Sequence, residues 1–333
     1  MSSYAIGVDL GGTNLRIAAV DQSGALRERV TLGTQVELGR DRVIGDMCDG
    51  IRRVISKYQD AHLLGIGVGI PGIIDMSTGM LRESPNLPGW ADYPVHAEIE
   101  RRLGTRVILE NDANSAALGE NWLGAAREFD DMAMLTLGTG VGGGLVLGGR
   151  IWHGMNGMAG EFGHTVVDPE GVPCGCGSRG CVEQYASATA IVRMASEAIA
   201  GGSAPSLRRA ANDDPEFSAK AVYELAIQGD AAAVEIFRRV GRALGIALTS
   251  LVNGLNLPIY VIGGGASSAW DAFAPAMFEE LRRRSMVYAA TAPRHVGDQS
   301  ASDSGKTAIT RALLGSDAGL FGAARLPMIA AGV

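Results

Sequence analysis

Three of the four cysteines lie within eight residues, at positions 174, 176 and 181, and His164 precedes the first of them by ten residues. Three thiols and an imidazole are the donor set that a tetrahedral Zn²⁺ prefers at a closed structural site. Intervening glycines allow tight backbone turns around such an ion. A disulfide pair plus a spare thiol is the alternative, but three clustered cysteines do not pair evenly. The spacing therefore favours structural zinc held by His164, Cys174, Cys176 and Cys181.

Three glycine-rich turns could bring bare backbone close to a ligand. The first, Asp-Leu-Gly-Gly-Thr at 9–13, follows a strand pattern, and its successive amide groups could hold phosphate oxygens. The second, at 138–143, formally fits G-x-G-x-x-G but continues as a strand, so we interpret it as another phosphate turn instead of a dinucleotide fingerprint. The third, Gly-Gly-Gly at 263–265, suits the flat face of an adenosine. The predicted nucleotide-binding residues are Asp9, Gly11, Gly12, Thr13, Gly138, Thr139, Gly140, Gly263, Gly264 and Gly265.

The first and the third of these turns also have a structural alternative. The first could be a plain hairpin with Asp9 as a capping residue. It is not a Walker loop, because no Gly-Lys-Ser/Thr follows it. The third could be a loose turn between a strand and a helix.

Asp112 is the candidate general base. It lies in the segment 110–115, where a strand pattern gives way to a helical one. Such a junction aims a carboxylate at the carboxyl ends of the strands, where ligands of α/β sheets bind, although Asp is also a favoured helix cap. Hydrogen-bond donors and acceptors suited to a polyol are added by Asn111, beside Asp112, and by three residues near the cysteine cluster, Glu161, His164 and Glu183.

Composition limits the function classes. The chain of 333 residues can form two domains, and 47% apolar with 20% charged residues is globular. A net charge of −7 argues against a general nucleic-acid binder. The start has no targeting pattern, and glycines and a proline interrupt the longest apolar stretch, at 63–74. We therefore expect a cytoplasmic protein that binds no membrane, with Cys48 as an inert core residue.

The hydrophobic periodicity predicts alternating strands and helices, which is typical of an α/β layer fold. In the first third, strands are predicted at 4–9, 15–21, 25–33, 63–70 and 106–109, and helices at 39–58, 94–103 and 112–123. A second strand pair within 131–151 repeats the opening arrangement, which indicates an internal duplication. Further predictions are helices at 187–200, 216–227 and 230–254, a loop at 201–215, a strand at 259–262 and a final helix at 305–319. The apolar tail after Phe321 receives no predicted role.

The chain resembles the ROK family of bacterial sugar kinases, within the actin-like ATPase superfamily. The resemblance covers essentially the whole length and rests on segments 9–14, 71–72, 86–90, 110–120, 137–144, 161–164 and 174–183. It implies a two-domain actin-like ATPase (ribonuclease H-like) α/β fold with an interdomain cleft. The implied domains are 1–113 with 304–325, and 114–303 with the zinc knuckle. The implied sugar-binding residues are Gly72, Asn86, Asn111, Asp112, Glu161, His164 and Glu183.

By the same resemblance, ATP with Mg²⁺ lies against the glycine turns and Asp112 takes the proton of the sugar's primary hydroxyl. His164 would serve both the zinc and the sugar. Segments 86–90 and 187–193 are most similar to those of glucokinases, which implies glucose as the substrate. The resemblance to the family as a whole implies a homodimer. Other family members accept N-acetylmannosamine, N-acetylglucosamine, allose, mannose or fructose. Polyphosphate stays open as a donor.

Two other function classes are alternatives to a kinase. The family includes transcriptional repressors, but these need a helix-turn-helix domain ahead of the sugar module, and the first phosphate turn already begins at residue 9. A sugar-sensing protein without transferase activity is the other alternative. It would lack Asp9, Asp112 or the Thr139 turn, and this chain has all three.

Overall fold

A computed structural model describes residues 3–293 and 305–333 of the chain. Within this part, the strands are β1 (Ser3–Leu10), β2 (Asn14–Asp21), β3 (Leu26–Gly33), β4 (His62–Ile70), β5 (Ile73–Asp75), β6 (Met80–Glu83), β7 (Ile108–Asn111), β8 (Met132–Leu137), β9 (Val141–Leu147), β10 (Arg150–Ile151), β11 (Ile259–Gly263) and β12 (Ala308–Arg311). The α-helices are α1 (Arg40–Ile55), α2 (Val95–Leu103), α3 (Asp112–Trp122), α4 (Glu183–Ala186), α5 (Ala188–Ala200), α6 (Pro205–Asp213), α7 (Ala219–Ile227), α8 (Ala231–Leu255), α9 (Trp270–Arg284), α10 (Met286–Thr291) and α11 (Ala318–Ala330).

Two five-stranded sheets organise the chain, and both have the same strand order. The first runs β3-β2-β1-β4-β7 and the second runs β10-β9-β8-β11-β12. In the first sheet, β1 pairs antiparallel with β2 and parallel with β4, and β4 pairs parallel with β7. In the second, β11 and β12 are parallel. The shared order, third-second-first-fourth-fifth, is what an internal duplication predicts. The mixed α/β fold class is confirmed.

Packing of the Cα trace divides the chain into two compact units. The first unit consists of Met1–Met132, Gly144–Gly160 and Leu313–Val333, and the second of Ala133–Gly143 and Glu161–Ala312. The domains predicted from the sequence, 1–113 with 304–325 and 114–303, were defined as two parts that hinge about a cleft. This division stays a prediction. One of its boundaries, at 303/304, lies outside the described residues.

The first sheet is covered on both faces. One face carries the main apolar cluster of this unit, to which α1 contributes Val43, Ile44, Met47 and Ile51, all fully buried. On the other face, Ala5 and Ala18 pack with Leu320, Ala324 and Met328 of α11. The side chains of β1 are therefore buried on alternate faces by elements far apart in sequence.

Glycine makes the approach of α11 to the sheet possible. A Cβ at Gly7 of β1 would overlap the carbonyl oxygen of Leu320, and a Cβ at Gly67 of β4 would overlap that of Ala323. The helix backbone thus lies directly on the strands. This packing gives the apolar tail after Phe321 its structural role.

Two sequence predictions were wrong. The segment 201–215 contains α6, which starts with Pro205 in its first turn and buries Leu207. Proline is tolerated at this position because the first amides of a helix have no partner in the helix anyway. The segment 305–319 is not a helix: β12 occupies part of it because it pairs with β11, and α11 begins only at Ala318.

In the described ranges, 3–293 and 305–333, no helix is both long enough and apolar enough to cross a membrane.

Candidate functional site

The candidate base lies at the junction of β7 and α3. Asn111 is the N-cap of α3, and its side chain accepts hydrogen bonds from the amides of Ala113 and Asn114. Asp112 is therefore the first residue of the helix, and the capping role goes to its neighbour. The Asp112 side chain is half-buried, and one oxygen accepts from the amide of Ala113 at 2.9 Å. The junction lies at the carboxyl end of β7, which pairs parallel with β4.

The buried carboxylate of Glu110 accepts hydrogen bonds from residues at this junction. Glu110 is 2% exposed, and its Oε1 accepts from the Asn111 amide at 2.9 Å and from Asn114 Nδ2 at 3.0 Å. Its Oε2 lies 2.6 Å from His153 Nε2. The hydrogen bond that His153 donates to Glu110 raises the pKa of His153, against the opposing effect of burial.

Two more of the predicted sugar-binding residues, Gly72 and Asn86, also belong to the first unit. The Asn111 amide Nδ2 donates to the carbonyl of Gly72 at 3.0 Å. Gly72 has a φ of 120°, and a Cβ there would overlap the carbonyl of Glu83, so this position requires glycine. The exposed Asn86 lies beside the first glycine turn. The close approach is seen at Gly12, where an added Cβ would be 3.2 Å from the Asn86 carbonyl oxygen.

The first glycine turn joins β1 to β2. The Gly11 amide donates to the Asn14 carbonyl at 2.8 Å, which closes the turn and leaves Thr13 exposed. Asp9 precedes the turn, and its carboxylate lies 3.1 Å from the Arg16 guanidinium. Burial raises the pKa of Asp9, and the Arg16 charge opposes this effect. The predicted hairpin is confirmed, with the Asp9 carboxyl group at its start.

The second glycine turn is shorter than predicted. Gly138 donates its amide to the Gly140 carbonyl at 2.9 Å, and β9 already begins at Val141, so Gly142 and Gly143 belong to a strand. Thr139 is exposed at the tip. The prediction that a strand follows the turn is confirmed.

A cavity of about 340 Å³ opens beside this turn, within the second unit. Its lining combines backbone of the glycine turn, apolar side chains and a few polar groups: Gly138, Thr139, Ala188, Ile191, Ser218, Ala219, Lys220, Tyr223, Phe237, Gly265, Ala266, Ser268 and Ala269. A mostly apolar cavity with a few convergent polar groups is typical of a small-molecule site. The predicted Gly138, Thr139 and Gly265 line the cavity, whereas Gly140, Gly263 and Gly264 are not among its lining residues.

The third glycine turn follows β11. A Cβ at Gly264 would overlap the Leu137 carbonyl, and its φ of 81° is also unfavourable for other residues. Gly263 is buried against Met134, whereas Gly264 and Gly265 are exposed. The segment from Gly265 to Ala269 then forms a short 3-10 helix ahead of α9.

The four predicted metal ligands come together in the second unit. One donor atom from each of His164, Cys174, Cys176 and Cys181 lies within 4.8 Å of the others. Cys174 Sγ is 3.6 Å from His164 Nδ1, and Cys176 Sγ is 3.7 Å from Cys181 Sγ. A tetrahedron with metal–sulfur bonds of 2.3 Å has edges of about 3.8 Å, so these separations suit one ion. The cysteines are free thiols, which excludes the disulfide alternative in this structure.

Charge in this cluster depends on its surroundings. Burial raises the pKa of Cys181 to about 12, whereas a hydrogen bond from the backbone of Ser178 lowers that of Cys176. A bound cation favours the thiolate form at all three positions. The donor set fits Zn²⁺ in number, softness and spacing.

Glu161 and Glu183 flank this cluster. The exposed Glu161 carboxylate lies 3.9 Å from His164 Nε2, on the side of the ring away from the thiols. Glu183 opens α4, and its Oε2 accepts from the Val141 amide at 3.0 Å. Its Oε1 is 4.0 Å from Cys174 Sγ. The second unit therefore brings the thiol cluster, two carboxylates and the glycine turn into one neighbourhood.

Sequence reasoning missed several residues of these neighbourhoods. His153 is separated by 43 residues from its partner Glu110, and Thr189 by 50 residues from the Thr139 carbonyl that it contacts. Lys220 and Tyr223 reach the cavity from α7, a segment for which only helical periodicity could be seen.

Comparisons with known proteins agree with this architecture. The sequence profile of the ROK family matches residues 5–328. A glucokinase of Thermotoga maritima is 38% identical over 321 residues, which cover 96% of each chain. Among solved structures, a ROK hexokinase from Thermus thermophilus is 32% identical with a TM-score of 0.80, covering 99% of each chain. A ROK family glucokinase from Streptomyces griseus, in complex with glucose and AMPPNP, is 32% identical with a TM-score of 0.77, covering 97% of this chain and 98% of that one. This chain belongs to the ROK family, with the actin-like ATPase fold that its sequence predicts.

Proposed function

We propose that the protein is an ATP-dependent sugar kinase that phosphorylates the 6-hydroxyl of glucose. The observation that carries this proposal is the position of Asp112, a half-buried carboxylate at the carboxyl end of a parallel strand and the start of a helix. Membership of the ROK family and 38% identity to a glucokinase support it. Glucose as the preferred sugar rests on that similarity.

In the proposed reaction, the 6-hydroxyl oxygen of the sugar attacks the γ-phosphorus of ATP. Asp112 accepts the hydroxyl proton while the bond between the γ-phosphorus and the bridging oxygen breaks, which leaves glucose 6-phosphate and ADP. Asn111, fixed by the carbonyl of Gly72 and by its cap contacts, is proposed to orient the sugar together with Asn86. Glu161, His164 and Glu183 are proposed to bind the other hydroxyls.

The donor is proposed to be a nucleoside triphosphate with Mg²⁺. The cavity beside Gly138 and Thr139 has Ile191, Tyr223 and Phe237 in its lining, which suits a base and a ribose better than a polyphosphate chain. When it is bound with the nucleotide, Mg²⁺ would neutralise part of the negative charge of the phosphates. Asp9 offers the hard oxygen ligand that this ion prefers.

Structural zinc is proposed at His164, Cys174, Cys176 and Cys181. The Nδ1 atom of His164 lies toward Cys174, and Nε2 lies toward Glu161. This arrangement supports a double role, in which one ring nitrogen serves the ion and the other a sugar hydroxyl. A homodimer and a cytoplasmic location stay predictions.

The substrate is tested by measuring ADP release with ATP over a panel of sugars. The panel contains glucose, mannose, fructose, allose, N-acetylglucosamine and N-acetylmannosamine. We expect the highest kcat/KM with glucose, no reaction with 6-deoxyglucose, and no turnover when polyphosphate replaces ATP. ADP release with none of these sugars, despite measurable sugar binding, would favour the sugar-sensing alternative.

Asp112→Asn tests the proposed base. The amide keeps the size of the side chain but cannot accept the hydroxyl proton, so kcat should fall by about 10²–10⁴ while glucose affinity and thermal stability stay near those of the parent. The exposed Asp60 provides a matched control, because Asp60→Asn makes the same chemical change on the surface. Near-normal turnover of Asp112→Asn would remove this residue from the mechanism.

A further inference from the structure

The segment 183–189 holds the glycine turn at 138–141 with three hydrogen bonds. Glu183 Oε2 accepts from the Val141 amide at 3.0 Å. The Ala188 amide donates to the Gly138 carbonyl at 2.8 Å, and Thr189 Oγ1 donates to the Thr139 carbonyl at 2.8 Å. All of these residues belong to the second unit. The shape of the turn therefore depends on the position of this segment.

Close packing strengthens the same connection. A Cβ at Gly140 would overlap the Glu183 carboxylate, and a Cβ at Gly163 would overlap the Val141 carbonyl. The turn thus lies in van der Waals contact with two residues that flank the thiol cluster. Gly163 directly precedes His164, and Glu183 follows Cys181 by two residues.

The segment between the cluster and the turn has little freedom. Tyr185 and Ala186 of α4 are buried, and Ser187 is 2% exposed and caps α5 by accepting from the Ala190 amide at 3.1 Å. Glu183 also faces the cluster itself, with Oε1 at 4.0 Å from Cys174 Sγ. A displacement at Cys174 or Cys181 would therefore move the turn, because a short and packed connection has little room to absorb it.

We propose that the metal cluster controls nucleotide affinity through this connection, in addition to bracing the sugar-binding residues. With His164, Cys174, Cys176 and Cys181 closed around an ion, segment 183–189 keeps the turn in the shape that receives the donor phosphates. Without the ion the turn loosens, and nucleotide binding weakens even when no sugar is present. Thr189 is a positioning residue in this arrangement. The inference rests on the proposed nucleotide site beside Gly138 and Thr139.

The first test compares AMPPNP binding before and after metal removal, without sugar, by titration calorimetry on the full chain. Zinc content is measured in each sample, and circular dichroism checks that the stripped protein is folded. We expect affinity for AMPPNP with Mg²⁺ to fall by about tenfold or more after stripping and to return when Zn²⁺ is restored. A folded, zinc-free protein with unchanged AMPPNP affinity would overturn the inference.

A second test avoids metal removal, in case the stripped protein unfolds. Thr189→Val keeps the shape of the side chain but removes the hydroxyl. Because one hydrogen bond contributes about 0.5–1.5 kcal/mol, AMPPNP affinity should fall by roughly two- to twelvefold. Zinc content and glucose affinity should stay unchanged, and Thr189→Ser should restore AMPPNP affinity. The exposed Thr105, in the first unit, gives the matched control Thr105→Val.

The outcomes separate this inference from the proposed function. If the zinc-loaded parent does not bind AMPPNP, the nucleotide site itself is wrong. If the parent binds but Thr189→Val binds equally well, the connection through segment 183–189 is wrong. A variant that loses stability, sugar binding and nucleotide binding together would indicate a general structural role and would also overturn the inference.

Discussion

Glu110 holds two neighbours of the candidate base with a single buried carboxylate. One oxygen fixes the Asn111 amide and the Asn114 side chain, and the other fixes His153. Asn111 in turn caps α3, so the direction of the Asp112 side chain depends on a residue that need not contact a ligand. Carboxylates this deeply buried are stable only when they are hydrogen-bonded in this way.

The ion pair of His153 with Glu110 predicts a pH-dependent contribution to stability. The pKa of His153 is raised in the folded state. The stabilisation is therefore complete below the pKa of His153 in the unfolded chain, about 6.5, and is lost as pH rises through its pKa in the folded protein. His153→Gln keeps a donor without the charge. The difference in unfolding free energy between the parent and this variant, measured in urea, should be largest near pH 6 and should shrink at alkaline pH.

The exposed His62 gives the control for this measurement, as His62→Gln. Its stability difference from the parent should vary much less with pH. Parallel stability curves for the parent and His153→Gln across the whole range would contradict the predicted role of the pair.

At the residue scale, sequence reasoning could name groups but could not pair them. The cysteine cluster was visible because its members lie close together in the chain, and the structure brings all four ligands together. Asp112 was selected because it lies where a strand pattern gives way to a helical one. His153 and Thr189 were not, because hydrogen-bond partners 43 and 50 residues away leave no local pattern.

At the scale of elements, the contact between α11 and the first sheet is unusually close. Gly67 places its Cα hydrogens against the helix backbone, where a methyl group would overlap the Ala323 carbonyl. Gly67→Ala should therefore lower the free energy of unfolding by about 1–3 kcal/mol or more, since the helix must move outward to fit it. Thermal and urea denaturation measure this loss.

Gly254 in α8 provides the comparison, because a Cβ there meets no atom within 4 Å. Gly254→Ala should be neutral or stabilising by up to about 1 kcal/mol, since alanine is the better helix former. Equal effects of the two substitutions would mean that helix propensity, and not the close approach of α11, determines the cost at Gly67.

Elements were predictable where their apolar pattern is local. Strands β1, β2 and β4 and helices α1 and α8 follow clear periodicities, and the structure confirms them. Strand β12 was missed because its pairing with β11 is a long-range contact. Helix α11 was missed because it buries residues around much of its circumference, which removes the polar face that periodicity detects.

At the scale of the whole molecule, the two compact units differ in what stabilises them. The candidate metal ligands all lie in the second unit, whereas α11 completes the first. Removal of a structural zinc commonly costs several kcal/mol of folding free energy.

Metal chelation should therefore loosen the second unit selectively. A loss of about 3 kcal/mol would lower its Tm by roughly 6–12 °C, measured by calorimetry. Hydrogen exchange followed by mass spectrometry should show faster exchange in peptides covering 162–189, with β1 and β4 unaffected. Cys174→Ser should already show the faster exchange and respond little to the chelator. Uniform exchange changes in both units, or a parent protein without bound zinc, would contradict this expectation.

The position of α11 also has a consequence for biosynthesis. Ala5, Ala18 and Val20 are synthesised well before Leu320, Ala324 and Met328, which cover them and lie 300 or more residues further along the chain. At 5–20 residues per second, translation leaves that apolar face uncovered for roughly 15–60 s. We therefore expect this face to bind chaperones during the interval, and a chain truncated before residue 318 to aggregate more readily than the full chain.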